Sequence, residues 1–187
     1  GAVRSDAIRA DLALLRTHFD GLVTYSCANG LDSIAPLARE LGYRAVVLGV
    51  WDPTSDRELE LAIAAARAAP DLVLALALGN EGLFFGRYDA AQLARAFARV
   101  RSEAPNVAVT TSEPFSSHLD PARARSLPRQ DFLLPIVHPL DQPWFGKAPS
   151  ATAVDFVVNV VRELEARTSL PVLVKETGVP SGPREQG

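Results

Sequence analysis

Strand patterns and helical patterns alternate along almost the whole chain, and this alternation limits the possible folds more than any other feature of the sequence. Apolar runs bounded by turn residues predict six strands, at residues 21–26, 44–51, 72–79, 106–112, 131–138 and 171–177. Helical periodicity fills the intervals between them, and no linker interrupts it, so residues 1–187 are predicted to form one domain. Such alternation predicts a parallel sheet with right-handed crossovers, either a barrel or a doubly wound sheet.

The third predicted strand favours the barrel. Every second residue from Leu72 to Leu78 is a leucine, which predicts one bulky face toward the helices. The residues between them, ending with Ala75, Ala77 and Gly79, are small, as the crowded interior of a barrel requires. A doubly wound sheet more often has large residues on both faces. We therefore predict a (β/α)8 TIM barrel. About six of its eight strand–helix units are visible, so the barrel is expected to be open and incomplete.

Composition excludes several other classes of function. The net charge is −3 with 17 Arg and 2 Lys, and no basic block is present, so no nucleic-acid partner is predicted. Cys27 is the single cysteine, and the three histidines are scattered, so neither a metal site nor a cofactor is predicted. No apolar run has the length that a bilayer span requires.

Two glutamates end predicted strands on the same rim. By strict alternation Glu81 follows Ala77 and Gly79 onto the barrel side of the third strand, and Glu176 points inward from the sixth. Lys175 is then expected to face the helices. Strict alternation aims Asn80 away from Glu81, and Gly79 before it makes a bulge or an end of the strand easier there. The C-terminal rim is where barrel active sites are built, and two carboxylates across a cleft suit a glycosidic bond.

The motifs around these glutamates carry a resemblance to a known family. "LGNE" at 78–81 and "ETGVPSG" at 176–182 resemble the signature motifs of glycoside hydrolase family 17, the β-1,3-glucanases. The resemblance implies a retaining double displacement on β-1,3-glucan, with Glu81 as acid/base and Glu176 as nucleophile. It also implies that Asn80 binds the 2-hydroxyl of the cleaved sugar. Because the family's two glutamates follow the fourth and seventh strands, the chain is expected to lack the first and last strands of the barrel.

Further substrate-binding candidates surround the pair. Tyr25 resembles the family's rim tyrosine after the first predicted strand, and His138 stands where the family often has a tyrosine. Val179 replaces the aromatic residue that usually follows the nucleophile. Trp51 and Trp144 are candidates for stacking on sugar faces, with packing roles as the equal alternative.

Other polar and aromatic residues are interpreted as structural. Glu113 is predicted to be a solvated loop carboxylate, Phe84 and Phe85 to pack under a loop, and His18 and His118 to take no part in the chemistry.

Alternative functions remain open at this point. Hydrolase and transglycosylase share the same catalytic residues, so the sequence does not separate them. A non-catalytic β-glucan-binding barrel is the runner-up, and a Schiff-base aldolase using Lys175 is a third reading. The resemblance further implies a monomer in the complete protein and an extracytoplasmic location, either periplasmic or secreted, or as a domain of a membrane protein.

Two geometric expectations follow from the retaining mechanism. The carboxyl groups of Glu81 and Glu176 should lie about 5–5.5 Å apart. Glu81 should have the higher pKa of the two, because a general acid must hold its proton while a nucleophile must be ionised.

Overall fold

The computed structural model describes residues 3–179 and contains a parallel sheet covered by helices. Its strands β1 (Gly21–Val23), β2 (Ala45–Val50), β3 (Val73–Asn80) and β4 (Ala108–Ser112) pair in chain order, and each pairing is parallel. The helices are α1 (Ser5–Arg16), α2 (Ile34–Glu40), α3 (Asp56–Ala68), α4 (Ala90–Glu103), α5 (Phe115–Leu119), α6 (Pro121–Ser126) and α7 (Ser150–Arg167). None of them, within residues 3–179, has the length and hydropathy needed to cross a bilayer.

The fifth and sixth predicted strands extend the sheet without forming regular ladders. Parallel bridges join Pro114 to Ile136, Leu133 to Val172 and Ile136 to Glu176. Backbone bonds between the two segments, such as Leu173 N to Leu133 O at 2.9 Å, continue the pairing. Pro135 lies inside the fifth segment, and because it has no N–H it removes one ladder donor there. The two segments therefore continue the sheet in parallel orientation, but as irregular extended chain.

The main core lies between the sheet and helices α1 to α4. Fully buried leucines of β2 and β3, Leu48 and Leu76, pack there with Ile63 of α3 and Leu93 of α4. A second, smaller cluster packs the fifth segment against α7 through Leu133, Val137, Val160 and Leu164. Both clusters lie on the helix side of the sheet. They form the scaffold beneath the rim where the strands end.

The predicted alternation of side chains fails at the start of β3. Val73 is 2% exposed and belongs to the helix-side core, whereas Leu74 is 49% exposed. The pairing of β2 with β3 explains this, because consecutive residues Val46 and Val47 pair with Val73 and Ala75 and leave Leu74 unmatched. An unmatched residue reverses the side-chain alternation. From Ala75 onward the predicted faces hold, with Leu76 and Leu78 toward the helices.

The sheet has two free edges over the described residues. β1 pairs with β2, and the segment 171–176 pairs with 131–137, but no backbone hydrogen bond within residues 3–179 joins β1 to 171–176. The open, incomplete barrel expected from the strand count is therefore what residues 3–179 form.

Candidate active site

The end of β3 carries the first catalytic candidate. Gly79 and Glu81 both have positive φ angles, 83° and 53°, and the pairing with β4 becomes irregular between Ala77 and Asn80. Glu81 N donates to Ser112 O at 2.7 Å. The strand thus bulges and ends where the sequence predicted. Because strict alternation is broken there, Asn80 and Glu81 can both contribute to the rim.

The two glycines beside this turn are required by a close aromatic neighbour. A Cβ on Gly79 would lie 1.7 Å from the hydroxyl of Tyr88, and one on Gly82 would lie 2.0 Å from its ring. Tyr88 itself is buried. Glycine at both positions therefore lets the chain turn against the Tyr88 ring, which holds the backbone on either side of Glu81.

The carboxyl group of Glu81 is half-buried, and its pKa is raised. Burial is the largest cause and the negative charge of Glu176 the second, while His138 and Arg87 act in the opposite direction. The predicted direction for a general acid is thus present at Glu81. Its dependence on Glu176 also shows that the two glutamates interact across the rim.

Glu176 lies in the parallel bridge to Ile136 and faces two of the predicted substrate-binding residues. His138 Nε2 lies 3.5 Å from Glu176 Oε2. Burial and the charge of Glu176 raise the pKa of Tyr25 to about 12, so its hydroxyl stays protonated near Glu176. Among residues 3–179, Oε1 of Glu176 is buried without a hydrogen-bond partner. The other oxygen, Oε2, is the one nearest to His138.

The prediction that Lys175 faces the helices is wrong. Its ammonium donates to Asn80 Oδ1 at 2.6 Å and lies 4.3 Å from the centroid of the Tyr25 ring. Strict alternation failed because 171–176 forms isolated bridges and not a pleated strand, so Lys175 and Glu176 can both turn toward the cleft. Burial lowers the pKa of Lys175 to about 8, although the charges of Glu176 and Glu81 oppose that change.

The two predicted tryptophans differ in how much ring surface they expose. Trp51 is 44% exposed, but the guanidinium of Arg87 covers one face at 4.2 Å from the ring centroid. Only the opposite face is left for a sugar. Trp144 packs edge-on against Phe156 at 5.4 Å and lines a pocket of about 720 Å³ together with Phe145 and Val179. Both remain predictions as sugar-stacking residues.

The prediction that Glu113 is a solvated loop carboxylate is also wrong, because Glu113 is fully buried. Its two carboxylate oxygens accept the backbone N–H groups of Leu83 and Phe84, each at 3.1 Å. Burial raises the pKa of Glu113, and the two N–H bonds oppose this. The side chain therefore anchors the loop that follows Glu81. Glu113 directly follows the predicted strand at residues 106–112, as Glu81 follows the third strand, so its position alone did not distinguish the two roles.

Glu58 has a corresponding role under two other loops, and the sequence analysis missed it. The Ser55 side chain accepts the N–H of Glu58 at the start of α3, but the Glu58 side chain does not complete a capping box. Instead Oε1 accepts from Ser26 Oγ, Cys27 N and Trp51 N, and Oε2 accepts from Asp52 N. The loops after β1 and β2, which carry Tyr25 and Trp51, are joined through this one buried carboxylate.

The remaining predictions concern metals and the second motif. Within residues 3–179, no cluster of three or more His, Cys, Asp or Glu side chains is arranged to hold a metal ion. His118 is buried, which lowers its pKa to about 4. Residues 180–182 of the second motif lie outside the described part of the chain.

The chain matches one known protein family and is similar to a glucan 1,3-beta-glucosidase. The sequence model of a family described as BtgE/BtgC glycoside hydrolase domain matches residues 2–187. A glucan 1,3-beta-glucosidase of Arthroderma benhamiae is 26% identical over 115 residues, which cover 59% of this chain and 37% of that protein. The match to a family of glycoside hydrolase domains confirms the predicted class, a glycoside hydrolase or transglycosylase.

Solved structures of similar fold confirm the barrel. An endo-laminarinase from Formosa has a TM-score of 0.70 at 16% identity, covering 94% of this chain and 62% of that one. A Rhizomucor miehei beta-1,3-glucanosyltransferase, solved with laminaritriose, has a TM-score of 0.68 at 22% identity, covering 97% and 68%. The chain thus spans less than two thirds of the length of the Arthroderma and Formosa proteins. Within its own length it is a partial (β/α)8 barrel.

Proposed function

Because the chain belongs to the BtgE/BtgC glycoside hydrolase domain family, we propose that it forms the catalytic part of an enzyme that cleaves or transfers β-1,3-glucan by a retaining double displacement. The observation that carries the proposal is the coupling of two rim carboxylates, in which burial and the charge of Glu176 raise the pKa of Glu81. A carboxyl group with a raised pKa suits the acid role, and a second carboxyl group across the same cleft is available for the nucleophile role.

In the first step, Glu81 donates its proton to the glycosidic oxygen while the Glu176 carboxylate attacks the anomeric carbon. The bond to the departing sugar breaks and a covalent glycosyl-enzyme forms. In the second step, Glu81 removes a proton from water or from a sugar hydroxyl, and that oxygen displaces Glu176. Two inversions give net retention. The position of Glu176 at the end of the segment 171–176, opposite Glu81 and beside His138, supports the nucleophile role.

The surrounding side chains support the same assignment. Asn80 is proposed to bind the 2-hydroxyl, and Tyr25 and His138 to orient Glu176 or the sugar. Trp51 and Trp144 are proposed as stacking surfaces beside the pair. The names of the relatives support β-1,3-glucan as the substrate class, since they include a glucan 1,3-beta-glucosidase, an endo-laminarinase and a beta-1,3-glucanosyltransferase. Membership of glycoside hydrolase family 17 is a finer assignment that we also propose from the two motifs.

Product analysis tests the proposal. The complete protein is incubated with linear β-1,3-glucan oligosaccharides, and the anomeric configuration of the first-formed product is followed by proton NMR. Products with the β configuration, hydrolysed or elongated, are expected. An α product contradicts the retaining mechanism. Tight binding in titration calorimetry without any product identifies the alternative, a non-catalytic β-glucan-binding barrel.

The spacing of the two carboxyl groups gives a structural test of the same proposal. In a crystal structure of the complete protein, the carboxyl carbons of Glu81 and Glu176 are expected about 5–5.5 Å apart. A separation above about 7 Å in an ordered site contradicts retention, because inverting enzymes need room for a water molecule.

Lys175 points into the cleft, contrary to the prediction, but its contacts argue against the Schiff-base hypothesis. The Lys175 ammonium is engaged by Asn80 Oδ1 and by the Tyr25 ring. A Schiff base requires the neutral amine and an approaching carbonyl carbon at that position. Borohydride trapping with carbonyl substrates tests this reading, and no covalent adduct is expected.

The location and assembly of the complete protein are also proposals. Enzymes that act on glucan commonly work outside the cytoplasm, so we propose an extracytoplasmic location and a monomeric complete protein. Cell fractionation and light scattering on the complete protein check these two statements.

A further inference from the structure

We propose that Lys175 is a positioning residue that fixes the amide of Asn80, so that the amide NH₂ faces the cleft and donates to a substrate hydroxyl. This inference rests on the proposed function, and it adds a residue that neither the motifs nor the family comparison points to. Lys175 touches no substrate atom in this scheme. It acts through Asn80, which lies 95 residues away in sequence.

The chemistry of the ammonium group determines which way the amide points. Lys175 Nζ lies 2.6 Å from Asn80 Oδ1, and an ammonium group can only donate hydrogen bonds. The atom that faces it must therefore be the amide oxygen, and the NH₂ group points away from the ammonium. This contact removes the ambiguity between oxygen and nitrogen that an isolated amide would have.

The rest of Asn80 is held equally well. Its side chain is 5% exposed, and its backbone carbonyl accepts a hydrogen bond from the guanidinium of Arg87. Within residues 3–179, no acceptor is hydrogen-bonded to the amide nitrogen of Asn80. The oxygen is engaged and the NH₂ group is available, which is the arrangement that a hydroxyl acceptor on the substrate requires.

The Tyr25 ring contacts the Lys175 ammonium, and two carboxylates favour its charge. Its ammonium lies over the Tyr25 ring at 4.3 Å from the centroid, a distance that suits a cation–π interaction. The carboxylates of Glu176 and Glu81 both favour its charged form, while burial disfavours it and lowers its pKa to about 8. Lys175 is therefore protonated at neutral pH. Tyr25 then has a second role, because it supports the residue that orients Asn80.

The proposed hydrogen bond from Asn80 to the substrate should strengthen as the glycosidic bond breaks. Hydrogen bonds to the 2-hydroxyl strengthen in the transition state of glycoside cleavage. An amide that is already oriented loses no further rotational entropy in the transition state. Loss of Lys175 should therefore lower kcat more than it raises KM.

A double-mutant cycle tests the coupling in the complete enzyme. Lys175→Met and Asn80→Ala are each expected to lower kcat/KM on an aryl β-1,3-linked disaccharide by about 10- to 100-fold, as for loss of one hydrogen bond in the transition state. The double variant should match Asn80→Ala within about threefold, because both changes remove the same contact. Lys175→Arg, which keeps the donor and the charge, should recover part of the activity. Losses that multiply in the double variant overturn the inference.

A second measurement needs neither activity nor a substitution of Lys175. In the complete protein with labelled lysine side chains, the NMR signal of Lys175 is assigned and followed, and the exposed Lys147 serves as an internal reference. Lys175 is expected to titrate near pH 8, and the Asn80→Ala variant should lower that value further, since the acceptor that favours the ammonium is gone. An unchanged Lys175 titration in Asn80→Ala, with Lys147 also unchanged, overturns the inference.

The two experiments separate this inference from the proposed function. If the enzyme does not act on β-1,3-glucan, the proposed function fails, and the NMR titration still decides whether Lys175 holds Asn80. If the enzyme is active and the cycle is multiplicative, the inference fails alone. Thermal unfolding of each variant identifies a loss of activity that comes from misfolding.

Discussion

Two pairs of glutamates in this barrel have opposite surroundings. Glu58 and Glu113 are buried, and their carboxylates accept hydrogen bonds from backbone N–H groups of rim loops. Glu81 and Glu176 lie half-buried on the same rim, and within residues 3–179 neither carboxylate accepts a backbone N–H bond. A carboxylate whose lone pairs are engaged by the backbone supports structure. One that accepts no backbone bond is not committed to holding a loop and can act on a substrate.

This comparison predicts opposite consequences of substitution. Changes in the first pair should reduce stability, and changes in the second should reduce turnover while the fold persists. Glu165, an exposed glutamate on α7, offers a matched control for all of these variants. Glu165→Gln should leave both activity and stability unchanged.

The largest effect is expected at Glu176. Glu176→Ala in the complete enzyme should lower kcat by at least about 10⁴-fold, because no nucleophile remains. Azide should restore turnover of an activated aryl substrate and give a glycosyl azide of inverted configuration. The melting temperature should stay close to that of the parent. If azide gives no rescue in a folded variant, Glu176 is not the nucleophile.

A smaller loss of turnover is expected at Glu81, and it should depend on the leaving group. Glu81→Gln should lower kcat/KM on glucan by about 10²- to 10⁴-fold, the usual size of general acid–base catalysis. The first step with a very acidic phenol leaving group should be nearly unaffected, because that group needs no proton. In the parent enzyme, activity should fall as pH rises through the raised pKa of Glu81, since the acid must be protonated. Equal losses on both substrates would contradict the role of Glu81.

The next prediction concerns the buried pair. Glu113→Gln should lower the free energy of unfolding by about 1–3 kcal/mol, because an amide has one acceptor oxygen where the carboxylate serves two N–H groups. Chemical denaturation measures the change. Activity should fall only as far as the loop after Glu81 loosens. A variant of normal stability but no activity would move Glu113 into the catalytic group.

The smallest effect is a gain in stability at Glu81. A folded-state pKa above the unfolded value means that ionised Glu81 destabilises the fold, and that its protonated form does not. Glu81→Gln should therefore be slightly more stable than the parent at pH 7, by less than about 1 kcal/mol because the group is partly solvated. The difference should vanish as pH falls below the unfolded pKa. Thermal unfolding at pH 7 and near pH 3 measures it, and equal differences at both pH values would contradict the sign.

Local periodicity was sufficient for the scaffold and for placing two glutamates on one rim. Strand–helix alternation depends on spacings of two and of three to four residues, which a short window of sequence displays. The same spacing placed Glu81 and Glu176 at strand ends and required a bulge after Gly79, which the structure contains. Regular pleating was the assumption in each case. It failed where pairing is irregular, at Leu74 and at Lys175.

The tertiary structure alone decided what the polar residues around the pair do. Glu58 meets Cys27 across 31 residues, Glu113 meets Leu83 across 30, and Lys175 meets Asn80 across 95. Such contacts form where strands far apart in sequence end on one rim, and no local spacing encodes them. Burial was equally invisible in the sequence, since Glu113 follows a strand end much as Glu81 does. Glu113 is covered and accepts two backbone donors, whereas Glu81 remains open to the cleft, because each lies at a different depth in the folded barrel.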